Sequence, residues 1–194
     1  MICSSLSKPV IRFKYGIIIS LFLIGFVACK PVEDEKSENV DADQKIRFAL
    51  VIHGGAGAIK KENMSAEREK AYSDMLQRAL DTGYAELESG GTAIEAVRKS
   101  INLMENSPLF NAGKGAVLNS LGKQEMDASI MEVKNLNAGA VAGVSHIKNP
   151  IDAAILVKDS SRHVMLSGKG AEDFVASYQM KLVDESYFFS EKRL

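Results

Sequence analysis

The chain has 194 residues, with 24 basic and 25 acidic side chains and a formal net charge of −1. This length predicts one domain with at most an appendage, and such a domain is large enough to bury a full hydrophobic core. The near-zero charge argues against an electrostatically driven nucleic-acid binder, so no nucleic-acid partner is expected. Cys3 and Cys29 are the only cysteines, which excludes a disulfide scaffold.

Residues 1–28 have the pattern of a secretory signal peptide. They carry Lys8, Arg12 and Lys14 without any acidic residue, and an apolar run follows at 15–28. This run is shorter than the about 20 residues that span a bilayer. A basic start, a short apolar stretch and small residues near its end are typical of a signal sequence.

The end of this run, residues 26–29 (Phe-Val-Ala-Cys), resembles a bacterial lipobox. The resemblance implies removal of the signal peptide and lipidation of Cys29, and several acyl chains on one cysteine would anchor the protein to a membrane. The expected location is the bacterial cell envelope, as a periplasm-facing or outer-membrane lipoprotein. Phe26 stands where Leu is usual, and the alternatives are an ordinary secretory signal or an uncleaved anchor.

Residues 29–45 are expected to be a flexible linker after the lipidated cysteine, and residues 46–194 the folded region. Between 30 and 45, six acids and three bases leave too few apolar residues to drive burial.

The first half of the folded region predicts one strand and two helices. Residues 46–53 are mostly apolar, include β-branched side chains and precede a glycine pair, which indicates a buried strand. Apolar residues at spacings of three and four predict a helix over 66–89. Thr92 and Glu95 form a capping-box pattern that opens a second helix.

The second half predicts mainly strands at first. Residues 116–119 and 124–131 flank a turn at 120–123 and predict a hairpin. Residues 138–145 form a strand of small side chains, where another backbone layer can approach closely.

A helix at 149–158, a strand at 163–166 and a helix at 171–178 complete the predicted order. Neighbouring strands without crossover helices imply a largely antiparallel sheet covered by helices.

The glycine-rich residues 53–57 (HGGAG) do not form a phosphate-binding loop. The dinucleotide pattern needs glycine where Lys60 stands, and the Walker ending is absent. His53, His146 and His163 are scattered singly, so a transition-metal site is not expected.

Glu125 and Asp127 lie two residues apart and share one face of a predicted strand. Paired carboxylates can perform acid–base chemistry. Beside a hairpin, the alternative is hydrogen bonding at the turn and strand edge.

Four segments together resemble the plant-type L-asparaginases, also called isoaspartyl peptidases. They are residues 53–59 (HGGAGAI), 108–119 (PLFNAGKGAVLN), 125–131 (EMDASIM) and 138–144 (AGAVAGV). Their order and spacing fit as well, and the resemblance covers 46–194.

The resemblance implies an α+β fold, the αββα sandwich of N-terminal nucleophile hydrolases. Such proteins cut themselves before a threonine, and the resulting α and β subunits stay together, as an (αβ)2 assembly when complete. The freed threonine is the nucleophile, and its own α-amino group is the base. The substrates are L-asparagine and isoaspartyl dipeptides.

The family's Gly-Thr-Val-Gly motif, which carries this threonine, does not occur, and no threonine follows Thr92. We therefore expect an α-subunit-like region, the N-terminal half of the fold, that is inactive alone. The alternative is a truncated, non-catalytic lipoprotein or a binding remnant of the same family.

The resemblance also implies site residues. Asn111 matches an asparagine beside the nucleophile, and His53, Gly54 and Gly55 match a strand end near the cleavage site. A structural sodium ion, with no other cofactor, would be held by main-chain carbonyls, a donor type that suits a hard cation. By alignment these are the carbonyls of Met104, Glu105, Ser107, Phe110, Ala112 and Lys114.

One departure from the family pattern is local. Glu132-Val133 stands where the family usually has Asp-Gly, so the turn there must use other backbone angles.

Overall fold

The computed structural model describes residues 48–55 and 64–190. These residues belong to one compact unit, Ile46–Leu194. The predicted signal peptide, Cys29 and the linker lie outside the described residues. Within those ranges, no helix combines the length and the apolar character needed to cross a membrane.

Two helices begin where their capping residues predict. In α1 (Ala66–Glu88) the hydroxyl of Ser65 accepts the N–H of Arg68 at 3.2 Å, and in α2 (Ala93–Glu105) Thr92 accepts the N–H of Glu95 at 3.2 Å. Side-chain caps of this kind satisfy helix N–H groups that have no partner within the helix.

The two helices pack closely because Gly83 on α1 has no side chain. A Cβ there would overlap the hydroxyl of Ser100 on α2. That hydroxyl donates to the carbonyl of Ala79 at 2.8 Å, so the contact is both close and hydrogen-bonded.

The sheet of the described residues has three strands in the order β1 (Met126–Glu132), β2 (Asn137–Val144) and β3 (Met165–Ser167). β1 and β2 pair antiparallel, whereas β2 and β3 pair parallel. The expectation of a largely antiparallel sheet holds for the first pair only. α3 (Pro150–Ser160) lies between β2 and β3 and connects them as a crossover helix. A helix of this kind allows the second strand to run in the same direction as the first, which makes the pair parallel.

Helices cover one face of this sheet. On β2, a Cβ added to Gly139 would overlap the carbonyl oxygen of Ala154, so α3 lies directly on the strand. α4 (Gly168–Ser177) packs beside it. The main core forms here, from buried residues that include Val141, Val144, Ile147, Val157, Val175 and Phe188.

The opposite face of the sheet is open. Asp127, Ser129, Ala140, Ala142 and Met165 line a shallow concavity of about 450 Å³ on this side. The described part of the fold is thus a mixed α/β layer with one covered and one open sheet face.

Two predicted strands are wrong in the described residues. Residues 48–53 are outside the sheet, and Val51 is 90% exposed, because no described strand offers a hydrogen-bonding partner there. The predicted strand at 116–119 is reduced to one bridge, between Leu118 and Gln124, since Asn119 closes a tight turn. The Asn119 carboxamide accepts the N–H groups of Leu121 at 2.9 Å and Lys123 at 3.0 Å.

The turn between β1 and β2, where Glu132-Val133 replaces the family's usual Asp-Gly, is formed without glycine. Leu136 takes the positive φ of 58° that glycine usually supplies. The side chain of Asn135 accepts the N–H of Asn137 at 3.0 Å and stabilises the turn.

We expect Gly139→Ala to destabilise the fold by about 2–3 kcal/mol, because its methyl group would collide with backbone atoms of α3 that cannot move independently. Gly170→Ala on α4 is the matched control, since no atom lies within 4 Å of the added carbon. Urea unfolding followed by circular dichroism measures both. Equal stabilities of the two variants would contradict the close packing of α3 on β2.

Candidate functional site

The candidate site is built around the loop between α2 and β1, here called the site loop (residues 106–117). It folds back on the end of α2 and contains a single 3-10 turn, Gly113–Gly115. Gly113 has a φ of +49°, and a Cβ there would overlap the carbonyl oxygen of Glu105. A Cβ on Gly115 would overlap the carbonyl oxygen of Phe110. Two glycines therefore allow main-chain carbonyls to crowd into the loop.

Within this loop, Asn111 has a fixed orientation. Its side-chain oxygen accepts the N–H of Val117 at 2.9 Å. Because the oxygen is used in this bond, the NH₂ group remains as the side chain's available donor. Asn111 lines a cavity of about 180 Å³ together with Gly113, Glu125 and Asp127.

A buried carboxylate lies where α2 ends and the site loop begins, and its residue lines the same cavity as Asn111. Glu105, the last residue of α2, is only 3% exposed. Its two oxygens accept the N–H of Ile151 at 3.0 Å and the side-chain amide of Asn149 at 2.9 Å. Burial raises the pKa of Glu105 to about 7, although both hydrogen bonds act in the opposite direction.

Helix α1 holds the site loop from a second side. The hydroxyl of Tyr72 donates to the carbonyl of Leu109 at 2.8 Å, and its ring meets that of Phe110 edge-on, with centroids 5.7 Å apart. These contacts fix the residue next to Asn111 against a helix.

The predicted cleavage-site residues lie near the same place. A Cβ on Gly54 would lie 3.5 Å from the ring of Phe110, so this extended segment approaches the site loop. The ring nitrogen Nδ1 of His53 accepts the N–H of Gly55 at 2.9 Å, and Gly55 has a φ of +123°. The structure thus brings Gly54 and the neighbour of Asn111 together.

The remaining carbonyls predicted to hold sodium belong to the same loop or the helix end before it. Those of Met104 and Ala112 each accept one main-chain N–H, from Ser107 at 3.1 Å and Gly115 at 3.0 Å, and a carbonyl has a second lone pair. The Lys114 ammonium lies 5.6 Å from the Tyr187 ring. In the described ranges, no group of three or more His, Cys, Asp or Glu side chains is placed to hold a metal ion.

The paired carboxylates have different environments. Asp127 accepts the N–H of Gly143 at 2.8 Å, at an irregularity in the pairing of β1 with β2. Gly143 has a φ of +60°, so Asp127 stabilises a bulge. Glu125 is exposed at the cavity mouth. This geometry favours the hydrogen-bonding alternative over paired acid–base catalysis.

The side chain of Glu105 was missed by the sequence analysis, which named only its carbonyl. A signal was present, however, because an acidic residue in the last turn of a helix is unfavourable for the helix dipole. A carboxylate at such a position requires compensating donors, and here the start of α3 supplies them.

We expect Glu105→Gln to change how stability depends on pH. The pKa of Glu105 is raised to about 7 in the folded state, from an ordinary value of 4.5. Its stabilising contribution is therefore fully present below the ordinary value and is lost as the pH rises through about 7. Relative to Glu105→Gln, the wild-type free energy of unfolding should fall by about 1–3 kcal/mol across this range.

Urea unfolding from pH 4 to 8, in choline buffers without alkali cations, measures this difference. Glu88→Gln, at the exposed end of α1, controls for the loss of a carboxylate. Parallel pH profiles of the wild-type chain and Glu105→Gln would contradict the raised pKa.

Comparison with known proteins points to one family. A family model described as asparaginase (Asparaginase_2) matches residues 46–194. A Dictyostelium discoideum relative assigned as isoaspartyl peptidase/L-asparaginase is 48% identical over 147 residues, which are 76% of this chain and 42% of that protein.

Two further relatives agree. An isoaspartyl peptidase of Escherichia coli (strain K12) is 44% identical over 76% of this chain and 46% of its own length. A plant-type L-asparaginase of Pyrococcus furiosus is 47% identical over 65% of this chain and 40% of its own length. The chain thus spans less than half the length of these relatives. Since the family model covers most of the chain, the chain belongs to the asparaginase family of N-terminal nucleophile hydrolases, whose relatives are named isoaspartyl peptidases and L-asparaginases.

Proposed function

We propose that residues 46–194 form the α-subunit part of a threonine-type amidohydrolase. The complete enzyme hydrolyses L-asparagine to L-aspartate and ammonia and cleaves β-linked isoaspartyl peptides. The observation that carries this proposal is the orientation of Asn111, whose oxygen is held by the N–H of Val117. The names of the relatives supply the substrate class.

In this reaction Asn111 acts as an electrostatic donor. When the nucleophile attacks the substrate carbonyl, negative charge develops on its oxygen, and a fixed amide NH₂ group stabilises that charge. The bond to Val117 orients the NH₂ group before the substrate arrives, so no side-chain reorganisation is needed.

The nucleophile comes from a segment outside these residues. Thr92 is unsuitable because its hydroxyl caps α2, and its nitrogen is an amide without a basic lone pair. It also begins a helix of 13 residues, at the end opposite the site loop, which is a distance of about 20 Å. The attacking residue is the threonine that self-cleavage frees at the start of the β subunit.

The open sheet face supports this division of the fold. Its small side chains, such as Ala140 and Ala142, allow a second sheet to pack closely. A β subunit that supplies this sheet would complete the αββα sandwich, and two such pairs would form the (αβ)2 assembly.

The proposed enzyme also binds a structural sodium ion in this loop. In support, the carbonyl oxygens of Glu105 and Phe110 lie close to Gly113 and Gly115, and main-chain oxygens suit a hard cation. The ion would be held by the carbonyls of Met104, Glu105, Ser107, Phe110, Ala112 and Lys114. A bound cation there would fix the geometry of the loop that carries Asn111.

His53, Gly54 and Gly55 take part through their position. The contact of Gly54 with Phe110 places this segment beside the site loop. We assign it to the surroundings of the cleavage site, where glycine backbone leaves room for another chain segment.

The central experiment supplies the missing half in trans. The full chain alone should release no ammonia from L-asparagine and should not cleave β-Asp-Leu. Co-expression with the β-subunit part of the Escherichia coli relative should restore both activities. Activity of the chain alone, after purification from two different hosts, would contradict the proposal. A stable complex without activity would favour the alternative, a non-catalytic remnant.

In the restored enzyme, Asn111→Ala should lower kcat by roughly tenfold to a thousandfold, as for loss of one oxyanion donor. Asn135→Ala is the matched control, because its side chain also accepts a main-chain N–H, at 3.0 Å, but lies in the β1–β2 turn. An equal loss in both variants would indicate a structural role for Asn111.

We further propose that Cys29 is lipidated and holds the protein at the cell envelope. Cys29→Ser should abolish acylation and move the protein from the membrane fraction to the soluble fraction. Metabolic labelling with a fatty acid and fractionation measure both effects, and Cys3→Ser is the control, since Cys3 would leave with the signal peptide. A Cys29→Ser protein that stays membrane-bound would indicate a simple anchor.

A further inference from the structure

We infer that Tyr187 is a positioning residue that fastens both ends of the site loop. Tyr187 lies in a short 3-10 turn, Glu185–Phe188, far from the loop in sequence. Its hydroxyl donates to the side-chain oxygen of Asn106 at 3.3 Å, and the Lys114 ammonium lies 5.6 Å from its ring centroid. One aromatic side chain therefore contacts the first residue of the loop and the turn near its end.

A second cation contacts the same ring. The Lys148 ammonium lies 5.7 Å from the Tyr187 centroid, just before α3 begins. A cation within about 6 Å of an aromatic ring is attracted by the negative charge of the ring face. Two such contacts and one hydrogen bond connect the loop, α3 and the C-terminal segment (residues 182–188).

The C-terminal segment is fixed independently of Tyr187. Phe188 is fully buried in the core, and its carbonyl accepts the side-chain amide of Gln124 at 3.1 Å. The N–H of Val183 donates to the carbonyl of His146 at 2.8 Å. The backbone that carries Tyr187 is therefore held by contacts outside the site loop. We infer that the position of the site loop depends on Tyr187.

This arrangement has a consequence for the candidate site. Lys114 could otherwise turn its ammonium toward the carbonyl oxygens of its own loop, which would compete with a bound cation. The Tyr187 ring attracts that ammonium instead. Tyr187 thereby favours cation binding and a fixed Asn111. The effect on cation binding and on Asn111 rests on the proposed function. The attachment of the site loop to Tyr187 rests only on the contacts with Asn106 and Lys114.

The test is hydrogen–deuterium exchange of the full chain. The reporter amides are those of Gly115, Ala116 and Val117, which are bonded within the loop. In Tyr187→Leu, which keeps apolar packing but loses the aromatic face and the hydroxyl, their exchange should accelerate about tenfold. Tyr187→Phe loses the bond to Asn106 at the start of the loop but keeps the ring beside Lys114, which is next to the reporter amides. It should change their exchange rate less than about threefold.

Tyr178→Leu is the matched control. Tyr187 packs on the ring of Phe188 with centroids 5.1 Å apart, and Tyr178 packs on Phe174 with centroids 5.0 Å apart. Tyr178 also donates its hydroxyl to a carbonyl oxygen, that of Ser160, at 3.3 Å. Exchange in α1 reports whether each variant is folded. Unchanged loop exchange in Tyr187→Leu, or an equal increase in Tyr178→Leu, would overturn the inference.

A second measurement uses sodium itself. The quantity measured is the sodium concentration that gives half of the maximal slowing of exchange at the reporter amides. It should be about threefold or more higher in Tyr187→Leu than in wild type, and close to the wild-type value in Tyr187→Phe. Sodium half-protection that is equal in wild type and Tyr187→Leu would overturn the effect on cation binding. If co-expression with a β subunit does not restore activity, the exchange results still stand. The proposed enzyme function and the positioning role of Tyr187 can therefore be refuted independently.

Discussion

The buried carboxylate of Glu105 joins two parts of the chain that are distant in sequence, the end of α2 and the start of α3. Its oxygens accept the main-chain N–H of Ile151 in α3 and the side-chain amide of Asn149. The main-chain carbonyl of the same residue lies against Gly113. A charge at this depth is costly unless it is neutralised or hydrogen-bonded, and both donors come from residues 149–151. The positions of α3, and of the strand on which α3 lies, are therefore set relative to the site loop.

The site loop is held from several sides, which suits a group that must be oriented before reaction. The hydroxyl of Tyr72 in α1 donates to the carbonyl of Leu109, and Tyr187 contacts the loop from the C-terminal segment. The main-chain carbonyl of Glu105 lies against Gly113. The donor role proposed for Asn111 benefits from this, because a donor that is already oriented needs no reorganisation when charge develops. In this structure, a loop whose regular structure is limited to one 3-10 turn is held by tertiary contacts.

Small side chains on β2 have a different effect on each face of the sheet. On one face, Gly139 lets the backbone of α3 approach β2 directly. On the other face, Ala140 and Ala142 leave a shallow open surface. Because successive side chains of a strand point to opposite faces, one segment of small residues places small side chains on both faces of the sheet.

The sequence by itself determined the local structure and the family. Helix caps at Ser65 and Thr92, the helix that begins at Pro150 and the four motif segments all depend on short-range patterns, which the sequence displays directly. The location of Asn111 in a glycine-rich loop was evident for the same reason.

Tertiary structure alone decided which residues act on one another. Residues 48–53 have a strand pattern but no strand, because a ladder needs a partner that local sequence does not specify. Asp127 stabilises a bulge, Glu105 joins α2 to α3, and Tyr187 contacts the site loop. Each of these hydrogen bonds has a partner at least 16 residues away. Such contacts arise only when packing brings distant segments together. A local pattern can therefore mark an unusual residue, as the acidic helix end does for Glu105, but it does not identify the partner.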